Sequence, residues 1–104
     1  MTQLTVVPRK YLVTRLDPNH MDATLWGVTI EWRDTDLWAV CHMGKCYTVT
    51  REWVREPSPS NREQSFLDAT RFNFGKAAFF AELAVDSLVI NGMTSRDMAA
   101  ARHD

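Results

Sequence analysis

Apolar and polar residues alternate through residues 25–54, and this alternation predicts strands of an antiparallel sheet with one buried face. The first strand carries large apolar side chains at every second position, namely Trp26, Val28, Ile30 and Trp32. The next two strands continue the pattern with Trp38, Val40 and His42, and then with Tyr47, Val49 and Trp53.

The length of the loop between the first two of these strands sets their register. A two-residue loop at Asp34-Thr35 would place Trp38 on the face opposite Trp32. A three-residue loop over 34–36 instead pairs Trp32 with Trp38 and Ile30 with Val40. A slip of one residue moves every side chain to the other face, so the alternatives exclude each other. We expect the three-residue loop, because it gathers all four tryptophans on one face.

The segments that flank this sheet carry weaker signals. Leu4 to Leu16 is rich in Val, Leu and Thr but contains Pro8, which predicts an edge or irregular strand. Residues 55–62 form a polar connection in which two prolines end the sheet. Residues 65–72 are expected to form a further strand or an irregular crossing.

The C-terminal third shows helical periodicity. Asn73 is a suitable N-cap for a helix over 74–87, and the expected apolar stripe is Ala77, Phe80, Ala81, Ala84 and Leu88, widened by Phe79, Leu83 and Val85. Residues 88–90 fit either more helix or a short strand, which Asn91-Gly92 would end. Thr94 and Asp97 have the spacing of a capping box for a last helix over 95–102.

These elements predict an α+β fold. We expect an antiparallel β-meander of three to five strands packed by a C-terminal helix, with a second short helix. The length of 104 residues fits a single domain over 1–104.

Composition and charge exclude several classes of function. The chain has 45% hydrophobic and 24% charged residues, typical of a globular protein. Its net charge of -1 gives no general attraction to nucleic acid or anionic lipid. The N-terminal residues lack a signal peptide, and no apolar run approaches the length of a membrane span. We therefore expect a cytoplasmic protein with reduced cysteines and no membrane partner.

The segment 41–46 contains two cysteines and a histidine, which are potential metal ligands. Gly44-Lys45 predicts a type II′ turn that pairs His42 with Tyr47. In that register Cys41 and Cys46 lie on the face of the sheet that does not carry His42. The two cysteines are diagonal neighbours across the strands, which places them too far apart for a disulfide. His20 and His103 would have to come from distant segments to complete a site. We expect free thiols and no bound zinc.

Other residues give no pattern of catalysis or cofactor binding. The carboxylates are scattered, and the four glycines are isolated, so no phosphate-binding loop is present. The sequence thus predicts no catalytic residue, no metal ligand and no cofactor. Basic residues near the start, Arg9, Lys10 and Arg15, support an alternative as a nucleic-acid-associated regulatory protein. A small enzyme with an unrecognised site is a third, weaker alternative.

The second face of the sheet is the candidate interaction site. It is predicted to carry Leu37, Ala39, Cys41, Met43 and Cys46, which together are too apolar for simple exposure to solvent. The N-terminal segment, the last helix or another chain must then cover it. We expect a protein partner or a homodimer through this face.

Three stretches, WGVTIEWRDTDLWAV, REWVREPSPSNR and FLDATRFNFGKAAFFAELA, cover much of the chain. They resemble small uncharacterised proteins of actinobacteria and their phages. The resemblance implies an accessory gene product of phage or host, and it assigns a role to no residue. The leading hypothesis is a small non-enzymatic binding or accessory protein that a phage encodes and that acts on a host protein.

Overall fold

A computed structural model describes residues 3–101 of the chain. Its strands, numbered along the chain, are β1 (Lys10–Thr14), β2 (Gly27–Asp34), β3 (Leu37–His42), β4 (Lys45–Tyr47), β5 (Trp53–Arg55), β6 (Val89–Ile90) and β7 (Met93–Thr94). The helices are α1 (Gln64–Thr70), α2 (Phe74–Ser87) and α3 (Ser95–Ala101), and a 3₁₀ turn covers Pro59–Asn61.

The first five strands form one antiparallel sheet in the order β1-β2-β3-β4-β5, and β6 pairs with β7 in a separate ribbon. The architecture is thus the predicted α+β meander. Strand β1 is an edge strand, as the proline before it suggested. The predicted pairs between β2 and β3 are confirmed, with Trp32 opposite Trp38 and Ile30 opposite Val40. The loop between these strands has two residues and not the expected three, because a bulge between Trp32 and Asp34 lets Asp34 pair with Leu37.

The register between β3 and β4 corrects the predicted type II′ turn. His42 pairs with Lys45 and Cys41 pairs with Cys46, so the turn lies at Met43-Gly44. Both turn residues have positive φ, 49° and 79°, as a type I′ turn requires. The predicted and observed registers differ by two residues, which leaves every side chain on the same face. The alternation of apolar residues therefore could not distinguish them.

The main core lies between α2 and the first face of the sheet. Helix α2 has the predicted bounds, and the Asn73 side chain accepts a hydrogen bond from Lys76 N at 2.9 Å. Three alanines of α2 are fully buried, which lets the helix approach the strands closely. Phe79 is an exception to the predicted stripe, because 58% of it is exposed. The buried members of this core are Val28, Ile30, Val40, Tyr47, Phe72, Ala77, Ala81, Ala84, Val85 and Leu88.

The four tryptophans do not share one environment. Trp38 and Trp53 are partly buried against the main core. Trp26 is buried in a second cluster with Leu16 and Ala23, which lies beside the C-terminal ribbon and helix. Trp32 is half-buried, and its ring lies 4.0 Å below the Arg9 guanidinium. The predicted single tryptophan face is therefore divided between two clusters and a partly exposed edge.

The segment before α2 corrects the expectation of a strand or an irregular crossing over 65–72. It forms the helix α1, followed by an isolated bridge in which Phe72 and Trp38 exchange backbone hydrogen bonds of 2.9 and 2.7 Å. Ala69 O also accepts from Val49 N at 2.9 Å. These bonds fix α1 beside the sheet.

The C-terminal residues settle the alternative left open at 88–90 in favour of a strand. Asn91 and Gly92 form the turn between β6 and β7, both with positive φ. The predicted capping box is confirmed, since Thr94 N donates to Asp97 Oδ2 at 2.9 Å and Asp97 N donates to Thr94 Oγ1 at 3.2 Å. The last residue of the predicted helix, Arg102, lies outside the described range.

None of the helices in residues 3–101 combines the length and the apolar character that crossing a bilayer requires.

Candidate functional site

The second face of the sheet is covered by α1 and not by the segments expected from the sequence. Phe66 of α1 packs against Ala39, Cys41 and Cys46, all three of which are buried. Thr70 is buried as well, and its hydroxyl donates to Phe66 O at 2.7 Å. The short helix α1, which follows the polar connection over 55–62, thus covers the centre of this face.

Beside Phe66, the carboxylate of Glu56 forms ion pairs with three guanidinium groups. Arg33 Nε and Nη2 donate to the two oxygens of Glu56 at 2.9 and 2.7 Å. Arg71 Nη2 donates to Glu56 Oε2 at 3.0 Å, and Arg62 Nη2 lies 3.3 Å from the same oxygen. Arg33 also reaches Glu31 at 3.4 Å. Only 13% of the Glu56 side chain and 6% of the Arg71 side chain are exposed.

The pKa of Glu56 reports the balance of forces in this network. Burial alone would raise the pKa of the carboxyl group. The hydrogen bond from Arg33 and the charges of Arg33, Arg62 and Arg71 outweigh burial and lower the pKa to about 2. The carboxylate is therefore ionised at neutral pH and holds the three arginines over the sheet.

The network borders a pair of free thiols. Cys41 and Cys46 lie directly opposite each other on β3 and β4, which corrects the diagonal arrangement predicted from the sequence. Their sulfurs and a Glu56 carboxylate oxygen all lie within 4.8 Å of one another. Arg33 Nη2 is 3.4 Å from Cys41 Sγ. The site thus combines two thiols, one carboxylate and a guanidinium in contact with sulfur.

A hydrogen bond between the two thiols moves their pKa values in opposite directions. It raises the pKa of Cys41, and burial raises it further. The same hydrogen bond lowers the pKa of Cys46, against burial and the nearby Glu56 charge, with help from Arg71 and Arg33. The pair therefore releases its first proton more easily than its second, and the remaining proton bridges the sulfurs.

Within residues 3–101, neither of the two histidines completes a metal site. His42 Nδ1 lies 2.9 Å from Gly27 O, and its ring packs 5.9 Å from the ring of Trp53, on the other face. His20 Nδ1 accepts from Asp22 N, and His103 lies outside the described residues. Glu56 is near the thiols, but its oxygens are already held by three cationic side chains. A divalent cation there would face their repulsion.

The five residues of the predicted interaction face differ in their exposure to solvent. Ala39, Cys41 and Cys46 are buried by the chain itself, so they cannot form a docking surface in this conformation. Leu37 and Met43 stay exposed at opposite ends of β3, with 78% of Met43 accessible. For the three buried residues, the sequence-based assignment is corrected.

A different apolar surface opens around Met43. An open groove of about 530 Å³ separates the β3–β4 turn from β6. Three well-exposed apolar residues lie along it, namely Leu25, Met43 and Val89. Its other lining residues are His42, Lys45, Trp53, Ser87, Leu88 and Ile90.

The early basic residues that supported the nucleic-acid alternative are engaged within the chain. Arg15 forms a two-point ion pair with Asp86, at 2.6 and 2.8 Å. Arg9 lies over Trp32, and Lys10 Nζ is 4.0 Å from Glu31. They do not form one free basic surface.

Comparisons with protein-family models, with curated proteins and with solved structures find no match.

Proposed function

We propose that this chain is a small non-enzymatic protein-binding module that works in the cytoplasm. It acts as an accessory protein of an actinobacterium or its phage, on a protein of the host. The groove between the β3–β4 turn and β6 is the docking site. The observation that supports this proposal most is that three exposed apolar residues, Leu25, Met43 and Val89, line the same groove.

The side chains of the groove suit an apolar anchor from a partner. Val89 and Met43 are 63% and 78% exposed, which is costly for neighbouring apolar groups unless a partner covers them. Methionine also adapts its shape to different partners, because its side chain is unbranched and polarisable. The partly buried Trp53 and Ile90 add further apolar surface to the lining of the groove.

The rim of the groove defines the partner further. Lys45 is exposed there and forms no salt bridge with any residue of the range 3–101. A partner segment that combines a bulky apolar side chain with a nearby carboxylate would satisfy both the groove and this charge. Rim charges mainly affect the rate of association. We therefore expect added salt to slow binding more than it speeds dissociation.

The experiment uses the purified chain to capture its partner quantitatively from actinobacterial lysate. Binding of the chain to the purified partner is then measured. Met43→Asp and Val89→Asp should each weaken the purified interaction at least about tenfold, since both place a charge in the apolar contact. The matched control is Phe79→Asp, because Phe79 is equally apolar and 58% exposed but lies on α2 away from the groove.

Two results would count against this docking site. Equal binding by Met43→Asp and the parent would place the contact elsewhere. Light scattering that shows a dimer disrupted by Met43→Asp would assign the groove to a second copy of the chain. The groove would then not be the docking site of a host protein.

A further inference from the structure

We propose that Cys41 and Cys46 form a redox-active dithiol, which a hydroperoxide oxidises to a disulfide within the β3–β4 hairpin. This inference is independent of the binding groove. It rests on the pairing of the two cysteines, on their unequal exposure and on the charged groups around them.

The position of the pair in the hairpin allows a disulfide. In a two-residue hairpin, the closing pair His42–Lys45 exchanges the backbone hydrogen bonds, and the next pair does not. Cα atoms of such a non-hydrogen-bonded pair lie about 4.5 Å apart. That separation falls within the range of about 4.4–6.8 Å seen for disulfides. The bond can therefore form without unfolding the hairpin.

The two thiols differ in their access to solvent. Cys41 is 7% exposed and lines an open groove together with Lys10, Glu31 and Glu56. Cys46 is fully buried beneath Phe66. A small oxidant in the groove can reach only Cys41, so Cys41 is the sulfur attacked first and Cys46 is the resolving thiol.

Charged side chains of both signs surround the two thiols and act on their ionisation. Arg33 contacts Cys41 Sγ and lowers the pKa of both thiols, and Arg71 lowers the pKa of Cys46, whereas burial and the charges of Glu31 and Glu56 act against them. Cationic neighbours stabilise thiolates. In the singly ionised pair the charge rests mainly on Cys46, and transfer of the shared proton from Cys41 to Cys46 gives the Cys41 thiolate that faces the groove.

The reaction balances in two steps. The Cys41 thiolate attacks one peroxide oxygen, the O–O bond breaks, and the departing alkoxide takes a proton to leave as an alcohol, giving a sulfenic acid on Cys41. The Cys46 sulfur then attacks Cys41 Sγ, the S–O bond breaks, and hydroxide leaves as water with the Cys46 proton. Two thiols and one hydroperoxide thus give one disulfide, one alcohol and one water, and two electrons pass from sulfur to oxygen.

The experiment treats the reduced full-length chain with a small excess of tert-butyl hydroperoxide at neutral pH and follows its intact mass. The expected product has lost two hydrogen atoms, contains a 41–46 cross-link in the peptide map, and returns to the starting mass with dithiothreitol. Oxidation of methionine adds oxygen, and dithiothreitol does not reverse it, so the two reactions are distinguishable.

Two single variants separate the roles of the sulfurs. Cys46→Ser should stop at a sulfenic acid on Cys41 that dimedone traps. Cys41→Ser should consume peroxide at its remaining thiol at least about tenfold more slowly than Cys46→Ser, because that thiol is buried. Oxidation without the 41–46 cross-link, or equal rates for the two variants, would overturn the proposal.

Discussion

Phe72→Ala is expected to reduce the free energy of unfolding by about 4 kcal/mol, the usual cost of deleting a fully buried phenylalanine side chain. Phe72 is 3% exposed, and its ring stacks on Phe80 with centroids 4.7 Å apart. Its backbone also exchanges two hydrogen bonds with Trp38, which alanine keeps. The loss therefore measures the side chain alone. Urea denaturation followed by tryptophan fluorescence gives the value, provided that the slope with denaturant is unchanged.

Phe79→Ala is the matched control, because it deletes the same side chain seven residues later on the exposed side of α2. We expect a change of less than about 1 kcal/mol for this variant. Similar losses for Phe72→Ala and Phe79→Ala would mean that α2 is rotated relative to the sheet.

Glu56→Ala is expected to reduce the free energy of unfolding by about 3 kcal/mol, because removing one partner of a buried ion pair leaves the others uncompensated. Three guanidinium groups, from Arg33, Arg62 and Arg71, would lose the carboxylate that they share. Glu63→Ala is the control, since this exposed glutamate makes no side-chain cap on α1. A loss no larger than that of the control would show that the network does not hold α1 on the sheet.

The same carboxylate predicts how stability depends on pH. Its pKa is about 2 in the folded chain and 4.5 as an ordinary glutamate, so the folded state prefers the ionised form. The stabilisation is complete above about pH 4.5 and is lost as the pH falls toward 2. Glu56→Gln should therefore be much less stable than the parent at pH 7, and the difference should narrow at pH 3.

Much of the fold could be predicted because local patterns agreed with one another. Alternation fixed the faces of β2 and β3, and the tryptophan pair fixed their register. Asn73 marked the start of α2, and Thr94 with Asp97 marked the start of α3. In each case, the residues that determine the element are neighbours in sequence or directly paired.

The second face of the sheet was predicted less well, for two physical reasons. Glu31 and Arg33 alternate with the apolar residues of β2, so they lie on the same face as Cys41. The segment between β5 and α2 then supplies Arg62 and Arg71, which meet Glu56 only through tertiary packing. Weighing the charged residues of β2 together with the cysteines would have indicated a polar network instead of an unpaired apolar face.

The dithiol shows the limit of face assignment. Registers that differ by two residues give identical faces, but only one of them places Cys41 opposite Cys46. The choice depends on the turn conformation, and here Met43 adopts the positive φ that usually favours glycine or asparagine. Sequence alone favoured Gly44 as the first turn residue, which put the thiols out of reach of each other.

The measurement that tests this account most directly is the labelling rate of Cys46 in the native chain. The central claim is that α1 and the Glu56 network seal the second face, so that Cys46 is interior. In Cys41→Ser, where Cys46 is the sole thiol, a bulky maleimide should react at least about a thousandfold more slowly under native conditions than in urea. A Met43→Cys probe in the chain lacking both native thiols should react rapidly in both, because this position is exposed. Native labelling of Cys46 within about tenfold of the unfolded rate would contradict the claim.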